Sequence, residues 1–436
     1  MMKKNRTIYF LLALVCLGLQ SCLFQEEDYF DDSSANRATA DVKRCSELLE
    51  AAPNGWVMEY YVGKDYSLGG ITLLCKFDGQ RVTMASQIAG ADETVSSLYS
   101  VKSEQATMLS FDTYNYLVHY FGQPQGSMAD DPNGTLGGDY EFVISDATAD
   151  RIELKGKKYG NRIVMKAFSA DQTWKQYLTR IKKVEDDAFF YEYDLRMDGL
   201  YTGQMLRSNY TFIVTYYDEV GKVHQKTVSF MFTTDGMRFH EPVTIDGQTM
   251  QNFVWKNEEI SFVCTDEGAT GVKMKGIYID GYQSYDYYPG TYLMDFYRLN
   301  GATNQLEVAS QEIQLVKNED GKSYWLKGLE YDILVTYDKP RGGLSILPQF
   351  LKKVQGGYVY LAMWDLMNDY VLRSSAIGLI SYPTTDGIYL VDNGVWIGEI
   401  SGFIFGVYNS QDEEASFMGY TDAVAAIRLV KKTIEE

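Results

Sequence analysis

Apolar and polar residues alternate along most of residues 56–167. Trp56, Met58 and Tyr60 alternate with Val57 and Glu59, and the same period of two recurs between polar or glycine-containing turns. A period of two indicates strands with one buried face. The predicted strands are 56–61, 71–77, 82–84, 95–101, 108–112, 140–145, 151–155 and 161–167. Such strands fit an antiparallel meander, which either closes into a small barrel or stays open as a curled sheet.

Two helices are predicted to flank this series of strands. Apolar residues recur at helical spacing between Val42 and Ala52, and Pro53-Asn54-Gly55 then ends the helix. Ser169 and Gln172 have the spacing of a capping box, which predicts a second helix over residues 170–183.

Further alternating segments continue to the end of the chain. They are 210–217, 223–233, 252–255, 260–264, 272–275, 292–297, 312–317, 324–327, 332–337, 358–364, 376–381, 388–390, 403–408 and 423–430. The predicted fold class is therefore all-β and mainly antiparallel, with two or three consecutive β-barrel or β-sandwich units and a few short helices. We expect an eight-stranded, lipocalin-like domain at residues 39–185, a middle β domain at 190–280 and a C-terminal β domain at 285–436.

The amino terminus has the features of an export signal. Basic residues precede an apolar run at 8–19, and Ser21-Cys22 follows it. This run is too short to cross a bilayer of about 30 Å as a permanent helix. The order resembles a bacterial lipoprotein signal, which implies that residues 1–21 are a signal peptide and that Cys22 is lipidated. An ordinary secretory signal with a chance cysteine is the alternative.

Residues 22–38 are predicted to form an acidic, flexible tether, because they contain few apolar residues. The cluster Gln25-Glu26-Glu27-Asp28 lies just after the cysteine. It resembles the surface-export signal of Bacteroidetes-type lipoproteins, which implies an outer-membrane protein anchored by lipid and exposed at the cell surface. A solvated acidic tether without a role in export is the alternative.

The chain is strongly acidic. Loss of residues 1–21 removes basic residues only, and the net charge moves from -19 to about -22. An acidic surface excludes nucleic acid as an expected partner, because binding to phosphates needs a stripe of Lys and Arg. Neutral glycans, peptides, cations and other proteins remain as partners.

Cys45, Cys75 and Cys264 remain after the signal and the anchor are set aside. They are far apart and odd in number, which is unlike a disulfide framework or a zinc finger. We expect them to be small buried side chains. A bridge between Cys45 and Cys75 is the alternative.

No catalytic residue is predicted. His240-Glu241 begins like a zinc-protease helix, but no histidine stands four residues beyond His240, and Pro242 would disrupt such a helix. Paired carboxylates for glycoside hydrolysis remain open, because they are defined by their separation in space. No cofactor is expected. Asp131, Asn133 and Asp139 are weak candidates for calcium ligands, and a solvated loop is the alternative.

Tyrosine is abundant, and Tyr282, Tyr285, Tyr287 and Tyr288 lie close together in a loop-like segment. Sugar rings stack on such faces, and tyrosine is favoured in recognition loops. These four residues are the predicted ligand-binding site. The alternatives are a linker packed against two barrels and cross-strand tyrosine pairs on solvated sheet faces.

Four motifs resemble the Bacteroidetes lipoproteins grouped as the domain of unknown function 4302 family. They are Ala51-Ala52-Pro53-Asn54-Gly55-Trp56, Leu109-Ser110-Phe111-Asp112-Thr113-Tyr114-Asn115, Gly138-Asp139-Tyr140-Glu141-Phe142 and Leu154-Lys155-Gly156-Lys157-Lys158. The resemblance implies a secreted lipoprotein encoded near outer-membrane nutrient-uptake components, and it supplies no catalytic residue.

The expected function is therefore a non-catalytic binding or accessory component of a glycan or peptide uptake system. Its expected partners are an outer-membrane transporter or glycan-binding lipoproteins. A structural or adhesive surface protein is the second interpretation, and a glycoside hydrolase-like enzyme is the third.

Overall fold

The computed structural model describes residues 33–124, 135–218, 220–412 and 414–432. Within these residues, three antiparallel eight-stranded barrels follow one another along the chain. Three α-helices accompany them in the same part of the chain. The predicted all-β, mainly antiparallel fold class is confirmed. No helix of the described residues is long and apolar enough to span a bilayer.

The first barrel closes on itself. Its first strand pairs with both the second and the eighth, so that Trp56 lies opposite Cys75 on one side and Ala167 on the other. The open curled sheet is therefore excluded. The strands are β1 (Trp56–Val62), β2 (Gly69–Asp78), β3 (Arg81–Ser86), β4 (Val95–Ser103), β5 (Thr107–Phe111), β6 (Glu141–Ala147), β7 (Arg151–Gly156) and β8 (Arg162–Ala167).

Side chains fill the interior of the first barrel. Alternate residues of β1 point inward, and Trp56, Met58 and Tyr60 are fully buried. Phe111 and Phe142 pack in the same cluster. An eight-stranded barrel has an interior just wide enough for side chains, and aromatic rings occupy the centre of this one.

The helices differ from the sequence prediction at their ends. Helix α1 (Ser34–Ala51) begins within the predicted tether, because the side chain of Ser33 accepts a hydrogen bond from the Asn36 amide and caps the helix. The second helix, α2 (Tyr116–His119), is a single turn.

Helix α3 (Trp174–Asp187) starts later and ends later than predicted. Its capping box is Thr173 with Gln176, and not Ser169 with Gln172. The acidic residues Glu185, Asp186 and Asp187, which lie beyond the predicted end at residue 183, form the last helical turn.

The second barrel is β9 (Glu192–Met197), β10 (Leu200–Ser208), β11 (Thr211–Tyr217), β12 (Val223–Phe232), β13 (Gly236–Ile245), β14 (Gln248–Lys256), β15 (Ser261–Cys264) and β16 (Val272–Ile277). Pairing of β9 with β16, for example Met197 opposite Val272, closes it. Phenylalanine dominates the interior, with Phe212, Phe230 and Phe232 almost fully buried.

The third barrel is a ring of eight strands that carries an added sheet. The ring strands are β17 (Gly290–Asn300), β18 (Gln305–Lys317), β19 (Ser323–Lys327), β20 (Ile333–Asp338), β21 (Gly343–Ile346), β25 (Leu379–Thr384), β26 (Gly387–Asp392) and β28 (Phe417–Lys431), and the pairing of β28 with β17 closes the ring. The predicted strand at 423–430 is confirmed as part of β28. The added sheet is β22 (Gln349–Val354), β23 (Gly357–Asp365), β24 (Tyr370–Leu372) and β27 (Gly402–Tyr408).

Strand β28 belongs to both parts of the third unit. Its first half pairs with β27 of the added sheet, and its second half pairs with β26 of the ring. The change occurs near Ala426, whose φ of 49° is left-handed. One long strand thereby joins the added sheet to the barrel.

The last two turns of α3 contact all three barrels. Lys182 donates to two backbone carbonyl oxygens of the first barrel, at 2.6 and 2.8 Å. Glu185 accepts a hydrogen bond from the Tyr210 hydroxyl of the second barrel at 2.7 Å. The Lys339 ammonium of the third barrel lies 3.1 Å from the Asp186 carboxylate. Lys182, Glu185 and Asp186 of one helix therefore join the three barrels.

Candidate functional site

The predicted tyrosine site lies where the second barrel meets the third. Tyr288 is fully buried, and its hydroxyl donates to the backbone oxygen of Gly342 at 2.8 Å. The Tyr285 hydroxyl donates to the backbone oxygen of Ser323 at 2.9 Å. Both rings pack against the core of the third barrel. Tyr288 therefore has no face open to a ligand, which corrects its assignment as a binding residue.

Tyr282 and Tyr287 have different surroundings. The Tyr282 ring stacks on Phe189, with a centroid separation of 6.0 Å and an angle of 14°. Phe189 follows α3, so this contact joins the second barrel to the third. Tyr287 is 40% exposed, and the Lys431 ammonium lies 5.0 Å from its ring centroid. The four tyrosines do not form one ligand-facing surface, because Tyr285 and Tyr288 pack against the core of the third barrel and Tyr282 stacks on Phe189.

The other predicted site residues are only partly within the described residues. Cys22, Asp131 and Asn133 lie outside them. Asp139 is buried, and its carboxylate accepts hydrogen bonds from the amides of Lys158 and Tyr159 at 2.7 and 3.2 Å. Burial raises the pKa of Asp139, although both amides oppose the shift. The carboxylate holds the turn between β7 and β8. No group of three metal-ligating side chains occurs in the part of the chain that the structure describes.

Cys45, Cys75 and Cys264 are free thiols, and all are buried. Their expected role as small buried side chains agrees with this placement. Burial raises the pKa of Cys264 to about 11.

Aromatic rings cluster on the outer face of the added sheet. Strand pairing places Phe350 opposite Tyr360, Tyr358 opposite Tyr408, and Tyr408 opposite Phe417. Directly paired residues lie on the same face of a sheet, so these five rings share one face. The intervening residues of β23 point into the core of the barrel. We call these five residues the aromatic surface.

Four of the five rings form a connected row. The centroids of Phe350 and Tyr360 are 5.4 Å apart, those of Tyr360 and Tyr408 are 5.7 Å apart, and those of Tyr408 and Phe417 are 5.5 Å apart. Phe350 and Phe417, at the two ends, are each 44% exposed, whereas Tyr408 is only 4% exposed. The two ends of the row are therefore exposed, whereas Tyr408, one of its inner rings, is buried.

Arg373 holds the centre of the row. Its guanidinium carbon lies 4.8 Å from the Tyr360 ring centroid and 4.3 Å from that of Tyr408. One guanidinium nitrogen also donates to the backbone oxygen of Asp412 at 2.5 Å. Burial raises the pKa of Tyr408, and the charge of Arg373 opposes the shift. A planar guanidinium can stack on aromatic rings and donate at its edge, so Arg373 fixes both tyrosines.

Gly406 leaves the space that the row needs. It lies in β27 opposite Tyr360, and a Cβ atom there would be 2.9 Å from Cε2 of Tyr408 and 3.1 Å from Cε2 of Phe417. A larger residue would push these two rings away from the sheet.

A pocket of about 640 Å³ opens beside the row. The rings of Tyr360, Tyr408 and Phe417 line it on the apolar side. Its polar lining residues are Arg373, Ser374, Ser375 and Gln411. Apolar faces next to a few hydrogen-bonding groups are typical of small-molecule sites. Such a site can stack a ring and hydrogen-bond its edge.

The surface is not apparent from the sequence, because its residues are dispersed between positions 350 and 417. The visible signal was the alternation of Tyr358 and Tyr360 with apolar residues in a predicted strand. Strand pairing was needed to bring the other rings beside them.

These features define an all-β protein of three consecutive antiparallel eight-stranded barrels, the last of which carries an added sheet with an aromatic face. The family model described as Domain of unknown function (DUF4302) matches residues 26–257, more than half of the chain, and the chain belongs to this family. A second model, described as Domain of unknown function (DUF4987), matches residues 265–391. The family suggested by the sequence motifs is confirmed.

Two solved structures resemble this chain with low sequence identity and a low TM-score. A protein of unknown function from the DUF3598 family of Nostoc punctiforme is 7% identical, covers 56% of this chain and 98% of its own, and has a TM-score of 0.15. Intact Ap-TbpB, with its N and C lobes, is 11% identical, covers 84% of this chain and 67% of its own, and has a TM-score of 0.14. Neither similarity supports an argument about this chain. No curated protein matches it.

Proposed function

We propose that this protein is a lipid-anchored, non-catalytic binding protein that captures a glycan on its aromatic surface. The observation that carries the proposal is the row of rings with exposed ends beside a pocket with polar walls. A sugar ring has an apolar face and a rim of hydroxyl groups. Phe and Tyr rings stack on the first, and serine, glutamine and arginine side chains hydrogen-bond the second.

The position of the surface also supports a binding role. The ring strands alone close the third barrel, so the added sheet is not needed for closure. Function commonly resides in sites added to a scaffold. The proposal assigns no catalytic residue and no cofactor.

Attachment to the outer membrane through Cys22, facing the outside of the cell, is part of the proposal. It is supported by the export signal and the acidic residues that follow it. A lipid anchor at Cys22 would hold the aromatic surface near the membrane, where an uptake transporter or a glycan-binding lipoprotein could receive the ligand.

The glycan can be tested by native electrophoresis of residues 23–436 in gels that contain soluble starch, xylan, mannan or laminarin. We expect at least one polymer to retard the chain, and Phe350→Ala and Phe417→Ala each to weaken this binding by about tenfold. Tyr217→Ala is the matched control, because Tyr217 of the second barrel is 48% exposed. Failure of every polymer to retard the chain would overturn the proposal, and release of reducing sugar would favour a hydrolase.

The anchor can be tested separately in cells. We expect labelled palmitate to enter the wild-type protein and not Cys22→Ala, and external protease to digest the protein on intact cells. Equal labelling of the two proteins would exclude lipidation at Cys22. Protection from protease would place the protein on the periplasmic side of the outer membrane.

A further inference from the structure

We infer that the aromatic surface takes a single soluble glycan chain and not the face of a crystalline polysaccharide. This inference rests on the proposed function and narrows its substrate class. Two separate features of the surface support it: the angles between its rings and the concave pocket at its side.

The rings of the row are not coplanar. The planes of Phe350 and Tyr360 meet at 61°, those of Tyr360 and Tyr408 at 84°, and those of Tyr408 and Phe417 at 61°. A crystalline polysaccharide presents one flat face, and such a face can stack only on rings that lie in one plane. A single chain can rotate about each glycosidic bond and match rings that face different directions.

The contacts that fix these angles make the arrangement rigid. Tyr408, an inner ring of the row, is 4% exposed and contacts both Arg373 and Phe417. Its ring cannot turn into the plane of its neighbours without losing both contacts. The surface therefore cannot flatten against a crystal face at low cost.

The pocket adds a second constraint. It is a concavity of about 640 Å³ beside the row, and Tyr360, Arg373 and Phe417 are among its walls. The end or a side branch of a soluble chain can enter such a space, whereas the surface of a crystal cannot. The hydrogen-bonding groups of Ser374, Ser375 and Gln411 would then contact sugar hydroxyls that a flat surface could not reach.

The size of the surface sets the expected length of the ligand. The row crosses β22, β23, β27 and β28, and three strand spacings amount to about 14 Å. A short oligosaccharide can span this distance. Affinity should therefore rise with chain length until the chain covers the row, and should then remain constant.

The experiment compares soluble and crystalline probes with residues 23–436. The soluble probes are starch, xylan, mannan and laminarin with their oligosaccharides of increasing length, and the crystalline probes are microcrystalline cellulose and chitin in sedimentation assays. We expect a soluble probe to bind with the stated dependence on length. Phe350→Ala and Phe417→Ala should weaken this binding about tenfold, and Tyr217→Ala should not change it.

Each outcome has a separate meaning. Binding to a crystalline probe at least as tight as to every soluble probe would overturn the inference and leave glycan capture intact. Affinity that continues to rise with chain length far beyond the width of the row would also overturn it. Binding to neither type of probe would overturn the proposed function itself.

Discussion

The carboxylate of Glu59 lies 2.5 Å from the guanidinium of Arg238 and joins the first barrel to the second. The Lys166 ammonium is 2.7 Å from the other carboxylate oxygen. The side chains of Glu59 and Arg238 are only 13% and 23% exposed. Loss of one partner would leave a poorly solvated charge without its counterion, which is much more costly than loss of an exposed pair.

Glu59→Gln is therefore expected to lower the free energy of unfolding by about 2–4 kcal/mol at neutral pH. Chemical denaturation monitored by tryptophan fluorescence would measure the change. Glu153→Gln is the control, because Glu153 forms more exposed pairs with Arg151 and Arg162 within the first barrel. We expect less than about 1 kcal/mol there. Equal losses in the two variants would show that the pair between the barrels contributes no more to the free energy of unfolding than an exposed pair.

The same ion pair predicts a dependence of stability on pH. Burial alone would raise the pKa of Glu59, but Arg238 and Lys166 outweigh it and lower the pKa below its ordinary value of 4.5. The folded chain then binds fewer protons than the unfolded chain in this range. The contribution of Glu59 is complete above pH 4.5 and is lost as the pH falls through the lower folded-state pKa. The stability of wild type should therefore fall more steeply below pH 4.5 than that of Glu59→Gln, and parallel curves would contradict this.

The sequence predicted the first barrel well, because nearly all of the positions that point into it are apolar. It predicted the second barrel less completely. Strands β9, β10 and β13 were missed. In β13, Pro242 cannot donate to a strand ladder, and the structure places this proline within a shift of register between Arg238 and Val243. A local irregularity of this kind is visible only when the partner strand is known.

Prediction of the functional residues was harder for a related reason. The clustered tyrosines Tyr282–Tyr288 were conspicuous, but a segment between two barrels also has to bury apolar surface. The rings of the aromatic surface were inconspicuous, because each occupies an ordinary outward position of its own strand. The pairing of Phe350 with Tyr360 and of Tyr408 with Phe417 creates the surface, and pairing cannot be derived from alternation alone.

The buried hydroxyl of Tyr288 should contribute to stability and not to binding. Tyr288→Phe removes the donor to the backbone oxygen of Gly342 and leaves that oxygen without this hydrogen bond. We expect a loss of about 1–2 kcal/mol in the free energy of unfolding and no change in glycan retention. Tyr287→Phe is the control, since Tyr287 is 40% exposed, and its stability should remain within about 0.5 kcal/mol of wild type. Weaker glycan retention by Tyr288→Phe would restore this tyrosine to the binding site.

Gly342 is expected to be intolerant of any side chain. Its φ is +60°, and a Cβ atom would lie 2.6 Å from Cδ2 of Tyr282 and 2.7 Å from the backbone nitrogen of Gln283. Gly342→Ala should lower the free energy of unfolding by about 2–3 kcal/mol. Gly281→Ala separates the two causes, because Gly281 has a φ of +75° and no atom within 4 Å of such a Cβ. We expect about 1 kcal/mol there from backbone strain alone. A larger loss for Gly281→Ala than for Gly342→Ala would contradict the close approach.

The buried thiols should be unreactive in the native protein. Desolvation raises the pKa of Cys75 and Cys264, and the thiolate is the reactive form of cysteine. Residues 23–436 should therefore resist iodoacetamide in buffer at neutral pH, and should gain one label on each of Cys45, Cys75 and Cys264 after denaturation. Intact-mass measurement would count the labels. Failure of Cys45 and Cys75 to react in denaturant, with recovery after reduction, would reveal a disulfide between them.

Arg373 should be essential to the geometry of the aromatic surface, because its guanidinium lies against both Tyr360 and Tyr408. Lysine keeps the positive charge but lacks the planar group that stacks on rings. We expect Arg373→Lys to weaken retention in the polysaccharide gel by about tenfold, while the free energy of unfolding falls by only about 1 kcal/mol. The near-ultraviolet circular dichroism of the tyrosines should change at the same time, since both rings lose their contact with the guanidinium.

Lys353→Arg serves as the control, because Lys353 lies over Tyr358 at 5.4 Å, outside the row, and arginine can keep that contact. If Arg373→Lys retained wild-type affinity and an unchanged tyrosine spectrum, positive charge alone would account for Arg373, and the row would not depend on stacking of its guanidinium.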